Sequence, residues 1–312
     1  MIAFGSSISG AEAYRRYAEP GIRRAAEPDS EVLAYAAVEP VGRTYNLILE
    51  AAARIQGLEA LVLVHPHTEI ADDGLGEKVR LALSDPQVGA VGCAGARNVT
   101  SIAWWEGEVV AGDVRQRYEE HGGGEVPAAR WAKRITPPAE VEALDGQLLV
   151  LSPWAVRNIR FDEALLLSHG FDLDFSLLVR QAGKRLVVAD LAVVHHRPIE
   201  QVGDLAVWVQ AHIEMAEKWD QVLHDPPADE PTWKRRARQA EARREAARAI
   251  AMSESLRLDA RVLELERQLD AMTSTASWRL TAPLRVLNRL RRQARGRRAE
   301  TGDDYSERRR WD

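Results

Sequence analysis

The chain has 312 residues, 46% of them apolar, which is enough for a real core, and its formal charge of −5 points to no class of oppositely charged partner. Its one cysteine, Cys93, excludes an intrachain disulfide and suits a reducing compartment. No apolar run nears the roughly 18 to 20 residues that span a bilayer, and the opening MIAFGSSISG lacks a signal peptide's basic region, so a cytoplasmic protein is expected.

Residues 1 to about 200 alternate short β-like runs with helical patterns, which predicts an α/β fold with a largely parallel sheet covered by helices. Ile2 to Phe4 reads as a first strand ending in Gly5, Ser6 and Ser7; AEAYRRYAEPGIRRAA reads as a helix and Glu31 to Val38 as a second strand. TYNLILEAAARIQG has helical apolar spacing with Gly57 as its stop, and the buried-strand run LEALVLV follows. A helix around Gly76 to Leu83, a strand VGAVGCAGA and a Gly- and charge-rich excursion over 106–128 come next. Val141 to Leu151 reads as a strand with Asp145-Gly146 at its start. The spacing of Phe171, Phe175, Leu178, Val179 and Ala182 predicts a helix that Gly183 ends, and LVVADLAVVHH is the last strand.

Beyond Pro198 the pattern changes to packed helices carrying Trp208, Ile213, Met215 and Trp219, then a linker, HDPPADEP. Leu258, Val262, Leu265, Leu269 and Met272 recur in steps of 4, 3, 4 and 3, a coiled-coil seam of about two heptads. It predicts self-association over residues 250–273, a lone solvated helix and one folded back on the first domain being the rivals. Residues 274 to 299 carry eight arginines and no acid. Apolar residues alternate with those arginines over 277–298, which suits an amphipathic helix on an anionic membrane surface. No nucleic-acid motif accompanies the arginines, so nucleic acid is not expected as a partner.

Ligands of such folds bind beyond the carboxyl ends of the strands. Three places answer to that: Gly5-Ser6-Ser7, the stretch His65-Pro66-His67-Thr68-Glu69, and His195-His196 beside Arg197.

TYNLILEAA, LVHPHTEI, WWEG, LDGQLLVLSPWAV and FDEALLLSHGFDLDFSLLVRQAGKRLVVADLAVVHH follow one another in the order of a known family. The chain resembles the inverting GT-A glycosyltransferases of family 2, in the branch that shares a domain with streptomycin-biosynthesis-type proteins. SWRLTAPLR resembles the tails of bacterial, especially actinobacterial, glycan-assembly glycosyltransferases. The resemblance implies a GT-A domain over 1–225, a linker over 226–232, a helical, coiled-coil-like segment over 233–273 and a partly disordered basic tail over 274–312, at the inner face of the plasma membrane. It implies a nucleoside diphosphate-sugar donor, a glycan or secondary-metabolite hydroxyl as acceptor, and a divalent metal on the diphosphate.

Matched position by position, Asp172 takes the place of the family's general base. Gly5, Ser6, Ser7, Tyr45, Asn46, His65 and Arg197 fall on the donor side, and Trp104, Trp105, Asp145, Gly146, His169 and Asp174 on the acceptor side. His67, Glu69, His195 and His196 fall at the metal, and His67 departs from the acid usual there. Imidazole donors favour Mn²⁺ over Mg²⁺ or leave the metal unneeded. The alternatives are a catalytically silent sugar-nucleotide- or glycan-binding scaffold organised by its helical arm, in which Asp172 merely caps a helix, and a nucleotidyltransferase, for which GSSISGAEAYRR is a poor pyrophosphate loop.

Overall fold

The computed structural model describes residues 1–118, 124–125, 138–165, 169–197, 204–223 and 231–281. β1 (Ile2–Ile8) runs on through Gly5, Ser6 and Ser7 instead of ending before them. A continuous helical stretch follows: α1 (Ala11–Ala13), a π-helical turn (Tyr14–Ala18) and α2 (Glu19–Ala25). Then come β2 (Val32–Ala36), α3 (Val41–Ala52), β3 (Ala60–Val64), β4 (Thr68–Ile70) and α4 (Leu75–Ala82). VGAVGCAGA, expected as one strand, is two, β5 (Val88–Gly92) and β6 (Ala94–Arg97), in different sheets.

After a short 3-10 turn (Trp104–Glu106), the described part of the 106–128 excursion contains β7 (Glu108–Ala111), β8 (Asp113–Tyr118) and β9 (Gly124–Glu125). The expected strand Val141 to Leu151 is also divided, into β10 (Ala139–Val141), β11 (Ala143–Leu144) and β12 (Leu148–Leu151), with Asp145-Gly146 between the last two. α5 (Pro153–Asn158) starts as its sequence dictates: the Ser152 hydroxyl caps the Ala155 amide, and Pro153 occupies the first turn, where no amide hydrogen is needed. α6 (Phe171–Gln181) ends at Gly183, whose φ of 80° is the left-handed conformation its position predicts. β13 (Arg185–Val188) and β14 (Ala192–Arg197) divide the last expected strand, and α7 (Leu205–Leu223), α8 (Pro231–Ser274) and α9 (Ala276–Leu280) complete the order.

Among the described residues the main sheet has the order β10-β13-β5-β12-β3-β1-β2. β1 is parallel to β2 and β3, and β13 to β5, while β12 and β10 run antiparallel to their neighbours, so the sheet is mixed. Alternate residues feed two cores. Phe4, Val62 and Val150 face one, with Ile22 of α2 and Val79 of α4; Ala3, Leu63 and Leu149 face the other, with Ile48 of α3 and Val156 of α5. Covered on both faces, these strands read as unbroken apolar runs, and each fully buried Val or Leu contributes about 1.5 to 3 kcal/mol.

The chain divides into two units, Met1–Ala260 and Arg261–Asp312. Residues 226–230 of the expected linker and the tail from 282 onward lie outside the described residues. Among the described residues no helix is long and apolar enough to cross a membrane.

A buried ion pair ties α6 to α7. Asp174, 1% exposed, accepts from the Trp219 indole at 2.7 Å and lies 2.6 Å from Lys218 Nζ, which also holds Asp162 at 2.7 Å. Replacing Asp174 with Ala leaves that indole N–H without its acceptor and removes one of the lysine's two carboxylates. A loss of about 3 kcal/mol in urea unfolding is expected; a change below about 1 kcal/mol would show that this brace does not hold the two helices.

Candidate functional site

The carboxyl end of β3 runs into His65-Pro66-His67, and β4 then turns back to pair antiparallel with β14, His195 opposite Thr68. The His196 amide donates to the His67 carbonyl at 2.8 Å. This pairing draws together four histidines that lie up to 131 positions apart in the chain. His65 stacks on His67 with ring centres 5.6 Å apart and meets His195 edge-on at 5.8 Å. Tyr17, from the π-helical turn, stacks flat on His196 at 3.9 Å. Glu69 is held between the His196 ring at 3.0 Å and Arg24 at 2.9 Å. Burial works against its charge, but the hydrogen bonds from Arg24 and His196 prevail and keep its carboxyl below the usual range.

The turn Asp145-Gly146-Gln147 lies beside this strand end. Asp145 closes on itself, accepting from the Gln147 amide at 2.8 Å and side chain at 3.0 Å, while the Gln147 carbonyl takes the His65 amide at 3.1 Å. Gly146 donates its N–H to Asp172 Oδ2 at 3.0 Å, and Asp172 Oδ1 accepts from the Leu173 amide at 2.9 Å. A continuous path, Asp172 to Gly146 to Gln147 to His65, thus joins the first turn of α6 to the carboxyl end of β3. Burial pushes the Asp172 carboxyl above the ordinary carboxylate range against the pull of the Leu173 and Gly146 amides. Tyr45 stacks on Phe171 at 5.4 Å, and its phenol is raised by burial and then by the Asp172 charge.

Two glycines make this approach feasible. A Cβ on Gly146 would meet Phe171 Cζ at 2.7 Å and Asp172 Cβ at 3.2 Å. Gly170 precedes α6 with a φ of 84°, and a Cβ there would press on Ile102 and Met215, both at 3.1 Å. The start of α6 is wedged between the Asp145 turn and the segment leading to Trp104.

That segment forms a third cluster. Trp105 packs on Trp208 at 5.6 Å, His169 meets Trp208 edge-on at 5.3 Å, and Trp104 lies 6.0 Å from Trp105. α8 walls it in: the Trp208 indole donates to the Ala242 carbonyl at 3.2 Å, Arg248 pairs with Glu106 at 2.8 Å, and the Ser101 hydroxyl donates to buried Glu245 at 2.6 Å. Glu245 also lies 3.1 Å from Nδ1 of buried His212. Nothing in the polar stretch EARREAARAI marked Glu245; the only signal was Ala242, Ala246 and Ala249 recurring in steps of 4 and 3. Tyr17 was signalled only by the i,i+3 tyrosines of YRRY.

Several expected residues are placed apart from these clusters. Gly5 is packed inside the sheet, where a Cβ would meet Ile48 and Leu63 at 2.6 and 2.9 Å, and Ser6 Oγ donates to the Val64 carbonyl at 2.8 Å; Ser7 is buried too. The Asn46 side chain faces Phe161 and Glu163 and braces that loop at 2.9 to 3.0 Å. Asp174 serves the α6–α7 brace. Arg197 ends β14, and its side chain lies outside the described part. Among the described residues no three His, Cys, Asp or Glu side chains converge as a metal-binding set. With Glu69 also engaged by Arg24 and His196, these residues do not fit a cation as a ready-made site.

A family model described as "Glycosyltransferase like family" matches residues 21–220. The streptomycin biosynthesis protein StrF of Streptomyces griseus is 30% identical over 211 residues, which cover 67% of this chain and 71% of that protein. Among solved structures, GalNAc-T7 with UDP, GalNAc and Mn²⁺ aligns with a TM-score of 0.44 at 13% identity, over 70% of this chain and 47% of that one. The mannosyltransferase PcManGT of Pyrobaculum calidifontis, in complex with GDP-Man and Mn²⁺, aligns with a TM-score of 0.42 at 12% identity, over 91% and 83% of the two chains. Likeness at these scores assigns no role to any residue here.

Gly146→Ala tests the wedge. The added methyl must displace Phe171 or the α6 backbone, so a loss of about 1 to 3 kcal/mol is expected in urea unfolding. A variant as stable as the parent would mean that the turn is not seated on α6.

Proposed function

This chain belongs to the glycosyltransferase-like family, and we propose that within it the chain transfers a sugar from a nucleoside diphosphate-sugar to a hydroxyl group with inversion, Asp172 serving as the general base. The observation that carries this reading is the hydrogen-bonded path from Asp172 through Gly146 and Gln147 to His65. It supports a base in the first turn of one helix beside the strand end expected to receive the donor.

The chemistry follows from the Asp172 carboxylate. Each of its oxygens accepts one backbone N–H and retains a lone pair for an incoming hydroxyl. As that hydroxyl oxygen attacks the anomeric carbon, its proton passes to Asp172, and the bond from carbon to the diphosphate oxygen breaks on the far face, the diphosphate leaving with the electron pair. A carboxylate whose proton affinity is raised by burial accepts that proton more readily than an ordinary aspartate. We assign the Trp105 and His169 cluster, with Asp145 and Gly146, to the acceptor side, and His65 and Arg197 to the donor side, where cationic or protonated groups would offset diphosphate charge. A glycan or secondary-metabolite acceptor and contact of the 277–298 tail with anionic lipid at the cytoplasmic face of the plasma membrane belong to the same reading.

A panel of nucleoside diphosphate-sugars tests it, first by thermal shift with and without Mn²⁺, then by donor turnover. A donor present at about 100 times its Kd stabilises the fold by roughly 2.7 kcal/mol. Asp172→Asn is expected to lower turnover by about 10² to 10⁴-fold. Its stability is set by two opposing effects. The Asp172 pKa is raised on folding, so its stabilising contribution is present below the ordinary carboxylate range and lost as pH rises through the raised value. Once ionised, the carboxylate is a local cost. The variant removes that cost but turns an NH2 toward the Gly146 or Leu173 N–H, so its melting temperature should stay close to the parent's, and parent turnover should fall as pH drops through a value above the ordinary aspartate range. No turnover of any donor, or turnover that survives Asp172→Asn, defeats the proposal and leaves the scaffold reading.

A further inference from the structure

α8 carries two apolar stripes of the same period. Along its first half Ala242, Ala246, Ala249, Ser253, Leu256 and Ala260 are buried, in steps of 4, 3, 4, 3 and 4. Further on, Leu258, Val262, Leu265, Leu269 and Met272 repeat the pattern but are 47 to 67% exposed. Leu258 and Val262 sit two residues beyond Leu256 and Ala260, about 200° around a helix of 3.6 residues per turn. The second stripe therefore does not continue the buried one; it occupies the opposite side of the helix.

We infer that this second stripe is the seam of a two-stranded, parallel coiled coil, covered by the same segment of a second copy of the chain. Val262 and Leu269 take a positions and Leu258, Leu265 and Met272 take d positions; Val262 at a between Leu258 and Leu265 at d follows the dimer pattern of a β-branched residue at a and leucine at d, from which Leu269 and Met272 depart. The flanking charges select the direction. In a parallel pair Arg261, at g, lies beside Glu266, at e, of the other copy, and the contact occurs twice by symmetry. An antiparallel pairing of the same layers sets Asp259 of one copy against Glu266 of the other, also twice, which repels. The parallel pair also sets Glu254, at g, beside Asp259, at e, of the other copy, twice by symmetry; that repulsion falls at the Ser255 and Leu258 layers, the N-terminal end of the seam, and is matched by the Arg261–Glu266 attraction, whereas the antiparallel repulsion has no such match. Five seam residues make a short interface, so association depends on protein concentration.

Sedimentation velocity of the full chain across about 1 to 200 μM tests this independently of any enzymatic activity. A dimer is expected at the upper end, and a monomer throughout for Leu265→Glu with Leu269→Glu, whose melting temperature should match the parent's at the low concentrations where the parent is also a monomer, because both side chains are exposed in the single chain. Glu266→Arg alone should weaken the dimer roughly tenfold by setting a second cation against Arg261, and Arg261→Glu in the same chain should restore it. A parent that stays monomeric, its seam covered by its own tail or by solvent, would overturn the inference. So would a higher oligomer, or a dimer that survives the double leucine substitution. Glu266→Arg tightening the dimer would overturn the parallel arrangement, since only in an antiparallel pair does that substitution turn the repulsion from Asp259 into an attraction.

Discussion

The site depends on a close approach that leaves little room for a side-chain carbon at two positions. Gly146 and Gly170 flank the first turn of α6, and an added Cβ at either would lie within 2.7 to 3.1 Å of a packed side chain. Because so little room is left there, the Asp172 carboxylate comes to rest on two backbone amides instead of flexible side chains, and in the proposed transfer it would lose little freedom when a substrate arrives. The same burial that fixes the acid raises its proton affinity. A buried charge with amide partners alone is locally unfavourable, and the two packed faces of the main sheet offset that cost.

Those two faces also explain which parts of the fold were legible. Strands covered on both sides consist of consecutive apolar residues, so β3 and the other central strands were visible as runs. The breaks within the runs were not. Cys93, which separates β5 from β6, is as buried as those strands, and of residues 189–191, which separate β13 from β14, Ala189 and Leu191 are buried and apolar and only the half-buried Asp190 is polar. A period of two reports which face a residue takes, not which sheet it belongs to. The same ambiguity hid the extension of β1 through Ser6, whose hydroxyl is satisfied by the Val64 carbonyl on the neighbouring strand.

Legibility in the site followed a similar rule. Residues at strand ends could be named, because a polar residue directly after an apolar run marks the carboxyl edge; His65, His67, His195 and His196 lie together for that reason. Their partners could not be named. Arg24 and Tyr17 come from the first helical stretch, and only the antiparallel pairing of β4 with β14 brings Glu69 and His196 within their reach. Asn46 shows the converse, a polar side chain expected at the site whose amide is engaged in bracing a loop apart from it. Spacing carries the local geometry of a motif; long-range hydrogen bonds decide whether its polar atoms remain available.

α8 shows how far a periodic pattern can be read. Its buried stripe is built mostly of alanine and serine, so burying it adds little to mean hydropathy, and an enumeration of large apolar residues passes over it. Small side chains are what that face requires: they let the helix backbone come near enough for the Ala242 carbonyl to accept the Trp208 indole, and for Glu245 to reach Ser101. The large side chains of the second stripe stand out in the sequence and, among the described residues, are exposed in the structure. Within one helix, then, the stripe with the stronger hydrophobic signal is the one the fold does not use. A heptad pattern shows that a helix has a face to bury, and only the packing shows which face is already taken.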